Sequence, residues 1–326
     1  MTADSEQDPQ ALKTGVVMDP ISGIKSYKDS TFAMLLEAQR RGHTLFYMEP
    51  EHLYVRDGRV FARMQLLEVS DNTLNWFKLD PLGDKCLDEL DIVLMRQDPP
   101  FDMGYIYATY MLELAEKAGT LVINRPQSLR DANEKFFINN FPQCCVPMII
   151  SSNSNLIREF VVQQGRCVVK PLDGMGGESI FQVSESDMNL NVILETITRH
   201  DSRAVMAQKY IEEISQGDKR ILVINGDPVP YALARFAGEG DFRGNLAKGG
   251  SSKGVPLSER DRWICAQVAP ELKQRGILFA GLDVIGDWLS EVNVTSPTCI
   301  RELDEEFGLN IAATLFDAAQ ESLRRR

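Results

Sequence analysis

A lysine followed by a glycine-rich turn is the first feature of the sequence that could do chemistry. Residues 168–170 have the pattern of a short strand that ends in Lys170, and glycines follow at positions 174, 176 and 177. Backbone N–H groups of such a loop can approach phosphate oxygens, and the lysine adds a compact positive charge. The spacing matches neither the GxxxxGK[ST] phosphate loop nor a complete GxGxxG, because Ser179 stands at the sixth position. The segment therefore predicts either a phosphate-binding loop or a hairpin whose glycines only supply positive φ angles.

An oxygen-only set of side chains near the end of the chain is suited to a hard cation such as Mg²⁺. Its members are Asp283, Glu291 and Asn293. Asp283 lies in the apolar run 278–285, where an unpaired carboxylate would be costly unless a cation or a hydrogen-bond donor met it. The set predicts a metal site. The alternative is that these are solvated polar positions on an outward strand face.

The turn between the two strands decides whether these oxygens converge. A two-residue turn at 286–287 would place Asp283 opposite Ser290, whereas a three-residue loop at 286–288 would place it opposite Glu291. Glu291 shares a strand face with the residue two positions later. We predict the three-residue loop, because it puts Asp283 on that face.

Basic residues gather around one long, glycine-rich loop, 236–254, of an otherwise acidic chain. Arginine forks bind carboxylates or phosphates through two parallel hydrogen bonds, so arginines that converge beside a loop predict an anionic substrate beneath a lid. The alternative for each residue taken alone is a surface ion pair. The residues are Lys219, Arg220, Arg235, Arg243 and Lys248.

Length and charge restrict the kinds of partner. The chain has 326 residues, with 35 Lys and Arg against 47 Asp and Glu, and a net charge of −12. This acidic balance argues against nucleic acid and anionic membranes as partners, and no apolar run approaches the ~18 residues of a membrane span. Residues 1–10 carry acids where a signal peptide would need positive charge. We therefore expect a cytoplasmic protein of about two domains.

Cysteine, histidine and serine give little support to other chemistries. The six cysteines form no CxxC pair, which predicts free thiols, and the three histidines cannot build a zinc cluster. A GxSxG match at 250–254 lacks the preceding strand and the following helix of a hydrolase nucleophile elbow, since Pro256 follows it.

The first part of the chain alternates between strand and helix patterns, after a polar segment at 1–12 that predicts a flexible leader. The alternation predicts a mostly parallel, doubly wound α/β domain, with one hairpin at Asp57-Gly58. Asp19 and residues 96–100 follow the carboxyl ends of strands, the edge where such sheets hold ligands. The predicted strands are 16–18, 44–48, 92–95 and 121–123, and the predicted helices are 30–41 and 105–118.

The later part of the chain predicts an α+β unit and then two antiparallel hairpins, with turn signals at 225–226 and 286–287. A capping pattern at Ser258 and a glycine at 276 bound one long helix. The predicted strands are 168–170, 180–183, 205–208, 221–224, 229–234, 282–285 and 289–294, and the predicted helices are 188–200 and 258–275.

Long motifs scattered over the chain match one family pattern. They are VMDPI at 17–21, FAMLLEAQ at 32–39, DPPFD at 98–102, NRPQSLRD at 124–131, KPLDGMGG at 170–177 and EVNVTSPT at 291–298. With these motifs the chain resembles the bacterial glutathione synthetases, which are ATP-grasp enzymes, over nearly all of residues 14–315. The resemblance implies an N-terminal doubly wound α/β domain at 13–130, a small lid subdomain at 131–208 and a C-terminal ATP- and metal-binding subdomain at 209–326.

The resemblance also implies roles for the matched residues. ATP would be held by Lys135, Lys170, Gly174, Met175, Gly176, Gly177, Gln208, Lys209, Tyr210, Ile211 and Asp218. Mg²⁺ or Mn²⁺ would be held by Asp283, Glu291 and Asn293. The dipeptide substrate would be held by Asp19, Arg220, Arg235, Asn245 and Ser296, and the implied catalytic residues are Arg220, Arg235 and Lys170.

The reaction implied by the resemblance joins γ-glutamylcysteine to glycine at the expense of ATP, through an acyl phosphate, and the implied assembly is a homo-oligomer, a tetramer. Gln97 stands where the family pattern has a lysine, and Glu178 where it has a small residue.

Two alternative functions remain. One is another carboxylate–amine ligase, such as a D-alanine–D-alanine or glutamate-adding enzyme, and the other is a non-catalytic ATP-binding protein like synapsin. The intact Lys135 and Lys170 argue against the second.

Overall fold

The structure is a computed structural model, and it describes residues 11–174, 177, 179–236 and 250–326. Several expectations lie outside the described residues. They concern the leader at 1–10, the central part of the long loop at 237–249, and the residues Met175, Gly176, Glu178, Arg243, Asn245 and Lys248.

The first sheet contains seven strands among the described residues: β1 (Lys13–Val17), β2 (Thr44–Met48), β3 (Leu53–Arg56), β4 (Arg59–Val69), β5 (Phe77–Cys86), β6 (Ile92–Met95) and β7 (Leu121–Ile123). Strands β2, β1, β6 and β7 pair in parallel in that order, which confirms the predicted parallel centre. Their side chains are almost all buried and apolar, as strands covered on both faces require. Strands β3, β4 and β5 extend the sheet in antiparallel fashion, and the predicted hairpin at Asp57-Gly58 joins β3 to β4.

Three helices accompany this sheet: α1 (Ser30–Arg40), α2 (Met103–Lys117) and α3 (Pro126–Asp131). The carboxylate of Asp29 caps α1 by accepting a hydrogen bond from the Phe32 N–H at 2.7 Å. Asp102 caps α2 in the same way, through the Tyr105 N–H at 2.9 Å. One of the otherwise unpaired N–H groups in the first turn of each helix is thereby satisfied, which helps to fix where each helix begins.

The second sheet is antiparallel, in the order β10-β9-β11-β8, and consists of β8 (Met148–Ser151), β9 (Cys167–Pro171), β10 (Phe181–Val183) and β11 (Val205–Lys209). The helices α4 (Ser154–Gln164) and α5 (Leu190–Ile197) cover one face. Ile157, Val161 and Leu194 pack on Val169 and Val205 there. Because this face is apolar, the other face is left to carry Lys170 and Gln208.

The third sheet is also antiparallel, in the order β14-β13-β12-β15-β16. Its strands are β12 (Asp218–Ile224), β13 (Asp227–Phe236), β14 (Ser251–Pro256), β15 (Phe279–Ile285) and β16 (Trp288–Asn293). The helix α6 (Glu259–Gln274) begins at Ser258, whose hydroxyl and Asp261 form the predicted capping box. The prediction that residues 251–254 form part of a loop is wrong. These residues begin β14, which pairs with β13 and places Ser252 beside Arg235.

The turn between β15 and β16 differs from the prediction. Ile285 pairs with Trp288, so the turn has two residues rather than three. Asp283 nevertheless faces Glu291, because a β-bulge inserts Ser290 into the second strand. The buried Ser290 hydroxyl donates a hydrogen bond to the Asp283 carbonyl at 3.0 Å, which holds the bulge. The predicted pairing of the two carboxylates is confirmed, and the predicted loop length is wrong.

The chain ends with two helices that pack against α1, namely α7 (Ile300–Phe307) and α8 (Ile311–Arg324). Arg41, just after α1, donates to the Ala313 carbonyl at 2.9 Å and pairs with Asp317 at 2.8 Å. These contacts join the first and last parts of the chain. Within the described residues, no helix has both the length and the apolarity needed to cross a membrane.

Candidate active site

A cleft of about 390 Å³ lies between the second and third sheets. Asp98 and Pro99, at the carboxyl edge of the first sheet, complete its wall. The described lining includes five cations and five carboxylates, so the cleft is locally neutral in a chain of net charge −12. The predicted residues that line it are Lys135, Lys170, Gly174, Gly177, Gln208, Lys209, Tyr210, Ile211, Asp218, Arg220, Arg235, Asp283, Glu291, Asn293 and Ser296.

Two buried lysines share one carboxylate. The Lys170 Nζ atom lies 3.4 Å from Glu291 Oε1, and the Lys135 Nζ atom lies 3.7 Å from the same oxygen. Lys135 also pairs with Glu134 and donates to the Gly174 carbonyl at 2.7 Å. The lysine is thereby tied to the first residue of the glycine-rich loop.

The burial of these groups affects their ionisation. Burial alone would disfavour the charged form of Glu291, but Lys135 and Lys170 outweigh it and hold the pKa of that carboxyl below its ordinary value. Burial, reinforced by the negative charge of Glu291, raises the pKa of Glu134. Burial would also lower the pKa of Lys135, yet Glu291 and Glu134 together raise it. Lys135 is therefore a firmly charged cation in the cleft.

A second group of buried charges lies across β13, β12 and β15. Arg220 is directly opposite Asp283 in the strand register, and Asp218 is directly opposite Arg235. The Arg220 fork binds Asp283 with two hydrogen bonds, the longer of 3.0 Å. Arg235 binds Asp218 at 2.6 and 2.7 Å and reaches Asp283 at 3.0 Å. Two guanidinium groups therefore alternate with two carboxylates.

The two carboxylates of this group respond differently to burial. Burial opposes the ionisation of Asp283, but Arg220 and Arg235 outweigh it and hold the pKa of that carboxyl well below its ordinary value. Burial raises the pKa of Asp218 to about 6, in spite of Arg235, because Asp283 adds negative charge nearby. Asp283 is therefore the fully ionised member at neutral pH.

Two buried donors in the cleft have no hydrogen-bond partner among the described residues, Arg235 Nε and Gln208 Nε2. A buried unpaired donor costs stability, so such atoms in a cleft point to a ligand with matching acceptors. Gln208 lies in β11, followed by Lys209, whose N–H donates to the Pro147 carbonyl at 2.9 Å, and by Tyr210, whose N–H donates to the Arg166 carbonyl at 2.9 Å.

The edge of the first sheet touches the cleft less directly. The Asp19 carboxylate accepts a hydrogen bond from the Asp98 N–H at 2.8 Å, so it lies behind Asp98 rather than in the lining. The Ser296 hydroxyl donates to the Arg96 carbonyl at 3.4 Å. The buried Arg96 guanidinium donates to the Pro297 carbonyl at 2.9 Å. These bonds fix the loop after β16 to the first sheet.

Sequence reasoning missed Glu134 and the apolar part of the lining. The Glu134 carbonyl accepts a hydrogen bond from the Val292 N–H at 2.9 Å, which brings it beside β16. Strand alternation offered a signal for some of the apolar residues, since Val168 and Ile285 lie two positions from Lys170 and Asp283. The missed apolar lining residues are Val168, Ile180, Ile214 and Ile285.

Two family models match this chain and together cover most of its length. Residues 12–130 match the prokaryotic glutathione synthetase N-terminal domain, and residues 134–308 match the prokaryotic glutathione synthetase ATP-grasp domain. The chain belongs to the prokaryotic glutathione synthetase family. It is accordingly an ATP-dependent ligase with an ATP-grasp fold, and it has the activity of that family.

Relatives within the family are similar over nearly their whole length. The glutathione synthetase of Pseudomonas aeruginosa is 55% identical over 97% of this chain and 100% of its own length. That of Xanthomonas axonopodis pv. citri is 54% identical over 95% of this chain and 98% of its own. The resemblance stated from the motifs is confirmed.

Solved structures outside the family share the fold. The D-cycloserine synthetase DcsG superposes with a TM-score of 0.67 at 16% identity, over 94% of this chain and 99% of that one. The D-alanyl-alanine synthetase A of Vibrio cholerae superposes with a TM-score of 0.61 at 14% identity, over 97% and 99%. At this identity the likeness extends to the fold alone.

Proposed function

We propose that the chain joins the cysteinyl carboxylate of γ-glutamylcysteine to the amine of glycine, with ATP converted to ADP and phosphate, and so forms glutathione. The observation that carries the proposal is the neutral cleft of paired, buried charges, in a chain 55% identical to a glutathione synthetase over 97% of its length. A neutral cleft accepts an anionic nucleotide and an anionic dipeptide with little repulsion.

Lys135 and Lys170 would contact the phosphates of ATP. Both are buried, both line the cleft, and both lie beside Glu291 Oε1, Lys170 at 3.4 Å and Lys135 at 3.7 Å. Buried cations held in place stabilise charge on a transferring phosphoryl group without reorganisation. The described glycines of the loop, Gly174 and Gly177, would lie over the phosphates, together with Met175 and Gly176.

The nucleotide base would lie against the end of β11. The unpartnered Gln208 Nε2 supplies one buried donor, and the backbone of Lys209, Tyr210 and Ile211 continues the wall. The apolar residues of the lining suit an aromatic ring, which gains more from apolar contact than a phosphate does. Asp218 would lie near the ribose.

Arg220 and Arg235 would hold the dipeptide carboxylate. Arg235 Nε has no partner among the described residues, so it can bind a substrate oxygen without breaking an existing ion pair. Ser296, Asn245 and Asp19 would contact the rest of the dipeptide. Asp19 would do so at the edge of the first sheet, where its carboxylate accepts a hydrogen bond from the Asp98 N–H.

The oxygen donors of Asp283, Glu291 and Asn293 fit a divalent cation. Asp283 and Glu291 face each other across β15 and β16, and the Asn293 side-chain Nδ2 donates a hydrogen bond to Asp283 Oδ2 at 3.3 Å, which brings the amide group beside the two carboxylates. All three line the cleft. Mg²⁺ or Mn²⁺ bound there would neutralise negative charge on the phosphates.

The chemistry needs no side-chain nucleophile. The cysteinyl carboxylate attacks the γ-phosphorus of ATP, and ADP leaves, giving an acyl phosphate. The glycine amine then attacks the acyl carbon and loses a proton, and phosphate leaves with the oxygen that joined carbon to phosphorus. Lys135, Lys170 and the arginines hold the reacting groups together and balance their charge.

We also propose a cytoplasmic homo-oligomer, a tetramer. The six cysteines are all buried and free, as thiols in a reducing compartment would be. The acidic net charge supports neither a nucleic acid nor a membrane surface as partner.

An omission experiment tests the activity. ATP, Mg²⁺, γ-glutamylcysteine and glycine are mixed with the enzyme, each is left out in turn, and ADP and the tripeptide are measured by mass spectrometry. The proposal predicts ADP and glutathione in equal amounts, and only in the complete mixture. ADP with another acid and amine pair, and none with this one, would contradict it.

A further inference from the structure

Asn133 joins two parts of the candidate site that are far apart in the chain. Its Oδ1 atom accepts hydrogen bonds from the N–H groups of Lys135, at 3.2 Å, and Phe136, at 2.9 Å. Its carbonyl accepts another from the Phe137 N–H at 2.8 Å. Its Nδ2 atom donates to the Leu172 carbonyl at 3.0 Å. One asparagine therefore fixes the turn that carries Lys135 and also holds the chain just before the glycine-rich loop.

Lys135 binds the same stretch of chain that Asn133 binds. The Lys135 Nζ atom donates to the Gly174 carbonyl at 2.7 Å, two residues after the Leu172 carbonyl that Asn133 holds. Two side chains of one turn therefore bind alternate carbonyls at the start of the glycine-rich loop. Because of these bonds, a shift of the loop would also move the lysine.

The residue between Asn133 and Lys135 ties this turn to the third sheet. The Glu134 carbonyl accepts a hydrogen bond from the Val292 N–H at 2.9 Å. Val292 lies in β16 between Glu291 and Asn293. The turn is thereby fixed to the glycine-rich loop on one side of the cleft and to the strand of two proposed metal ligands on the other.

A comparison within the chain shows what is particular about Asn133. Asn153, just before α4, also accepts hydrogen bonds from the N–H groups two and three residues later, at 3.0 and 3.3 Å. Such a turn needs only the side-chain oxygen. At Asn133 the side-chain nitrogen is used as well, because it binds the Leu172 carbonyl. Asn133 therefore does more than stabilise a turn.

We propose that Asn133 is a positioning residue for phosphoryl transfer, which holds Lys135 and the glycine-rich loop in one arrangement and acts through Lys135. The inference rests on the proposed contact of Lys135 with the phosphates of ATP. Lys135 and Gly174 line the cleft, whereas Asn133 lies behind its described lining. A cation that is already in place stabilises charge on the transferring phosphoryl group without reorganisation, and a small displacement is costly.

A double-mutant cycle tests whether Asn133 acts through Lys135. In the otherwise unmodified enzyme, Asn133→Ala should lower kcat/KM for ATP by about 10- to 100-fold, since a displacement of about 1 Å in a catalytic arrangement can cost that much. In the Lys135→Met background the same change should lower kcat/KM no further. An equal fall in both backgrounds would overturn the inference, because a residue that only supports the fold lowers both.

A conservative variant keeps the test valid if Asn133→Ala folds poorly. In Asn133→Ser the hydroxyl can accept the N–H bonds of the turn, although more weakly, and no second polar atom is left for the Leu172 carbonyl. The variant should keep its native circular dichroism and lower kcat/KM by less than Asn133→Ala does. The matched control is Asn153→Ala, which should leave the kinetics unchanged. A folded Asn133→Ser with unchanged kinetics, or an equal loss in Asn153→Ala, would overturn the inference.

The single variant Lys135→Met separates failure of this inference from failure of the proposed function. If Lys135→Met leaves kcat/KM for ATP unchanged, the proposed phosphate contact fails and the inference fails with it. If Lys135→Met lowers kcat/KM and Asn133→Ala does not, only the role of Asn133 fails. Glutathione formation by the unmodified enzyme is measured in the same assay, so the choice of acid and amine is tested separately.

Discussion

The first and third sheets differ in the charges that their central strands bury. Strands β1 and β6 bury valine, leucine, isoleucine and methionine, whereas β12 and β15 bury Arg220 and Asp283, at 7% and 5% exposure, in addition to similar apolar side chains. Buried ion pairs stabilise a fold less than apolar side chains of the same volume. Buried ion pairs in the third sheet therefore indicate that this sheet binds charged ligands. Under the proposed function the first sheet is a scaffold, and the third sheet, together with Lys170 of the second, would carry the chemistry.

Removal of one charge from the third sheet should have the largest effect. In Asp283→Asn, Arg220 and Arg235 lose their shared carboxylate. We expect the free energy of unfolding to fall by about 3–5 kcal/mol, and kcat/KM to fall by about a thousandfold or more because the proposed metal-ligand set would also be broken. Urea unfolding and steady-state kinetics measure the two effects.

The matched change in the first sheet is Leu94→Ala in β6, a fully buried side chain. It should cost about 2–5 kcal/mol of stability. The folded enzyme should keep its kcat, because no ligand contact is lost. If Leu94→Ala lowered kcat as much as Asp283→Asn, the division between scaffold and chemistry would be wrong.

Loss of a phosphate contact should affect turnover with little effect on folding. In Lys170→Met, Glu291 keeps Lys135 as its partner at 3.7 Å. We expect kcat/KM for ATP to fall by about 10²–10³-fold, as when one transition-state donor is removed. The control is Lys78→Met, an exposed residue paired with Asp80, which should leave the kinetics unchanged. Unchanged kinetics in Lys170→Met would exclude its contact with the phosphates.

A charge outside the cleft should show the opposite behaviour, with an effect on stability and none on catalysis. Glu37 accepts hydrogen bonds from Arg40 and Arg41 at 2.7 Å and from Asn310 at 3.1 Å, and it joins α1 to the start of α8. The Arg40 hydrogen bond, followed by that from Arg41, lowers the pKa of Glu37 to about 2.

Because the folded-state pKa of Glu37 is depressed, its contribution is present above the ordinary value of 4.5 and is lost as pH falls toward about 2. Glu37→Gln should cost about 1–2 kcal/mol at pH 7, after screening by solvent, and the cost should shrink at pH 3. Urea unfolding at both pH values measures this, with the surface variant Glu321→Gln as control. A cost that stayed constant with pH would contradict this ion-pair assignment.

The smallest effect should come from Gln208→Met. This change removes a buried donor that has no partner among the described residues, so stability should stay equal or rise. KM for ATP should rise by about three- to tenfold, the equivalent of one hydrogen bond of about 1 kcal/mol. Calorimetric unfolding and ATP titration measure the two quantities. A loss of stability without a change in KM would place Gln208 in the scaffold.

Much of the fold was predictable where local signals agreed. The strands 44–48, 92–95 and 121–123 match the structure because each is an apolar run bounded by polar or turn residues. The strand β5 (Phe77–Cys86) gave no such signal, since it contains Pro81 and Gly83 and forms through pairing with β4. Its existence depends on tertiary contact, which propensity does not encode.

Asp283 was found because a carboxylate in an apolar run is visible in the sequence, whereas Lys135, Lys209 and Asp218 were implied only by the resemblance to the family. Glu134 was not found, because it reaches the cleft through a backbone bond to Val292, far along the chain. The turn before β16 was wrong for a related reason. Face parity fixed the pairing of Asp283 with Glu291, but a bulge at Ser290 and a longer loop satisfy parity equally well.

The most direct test of the account follows one oxygen atom. γ-Glutamylcysteine labelled with ¹⁸O in its cysteinyl carboxylate is turned over with ATP, Mg²⁺ and glycine, and the released phosphate is analysed by mass spectrometry. Attack of the carboxylate on the γ-phosphorus predicts one labelled oxygen in every phosphate released together with ADP. Unlabelled phosphate, or label in AMP, would contradict the acyl-phosphate route in the charged cleft.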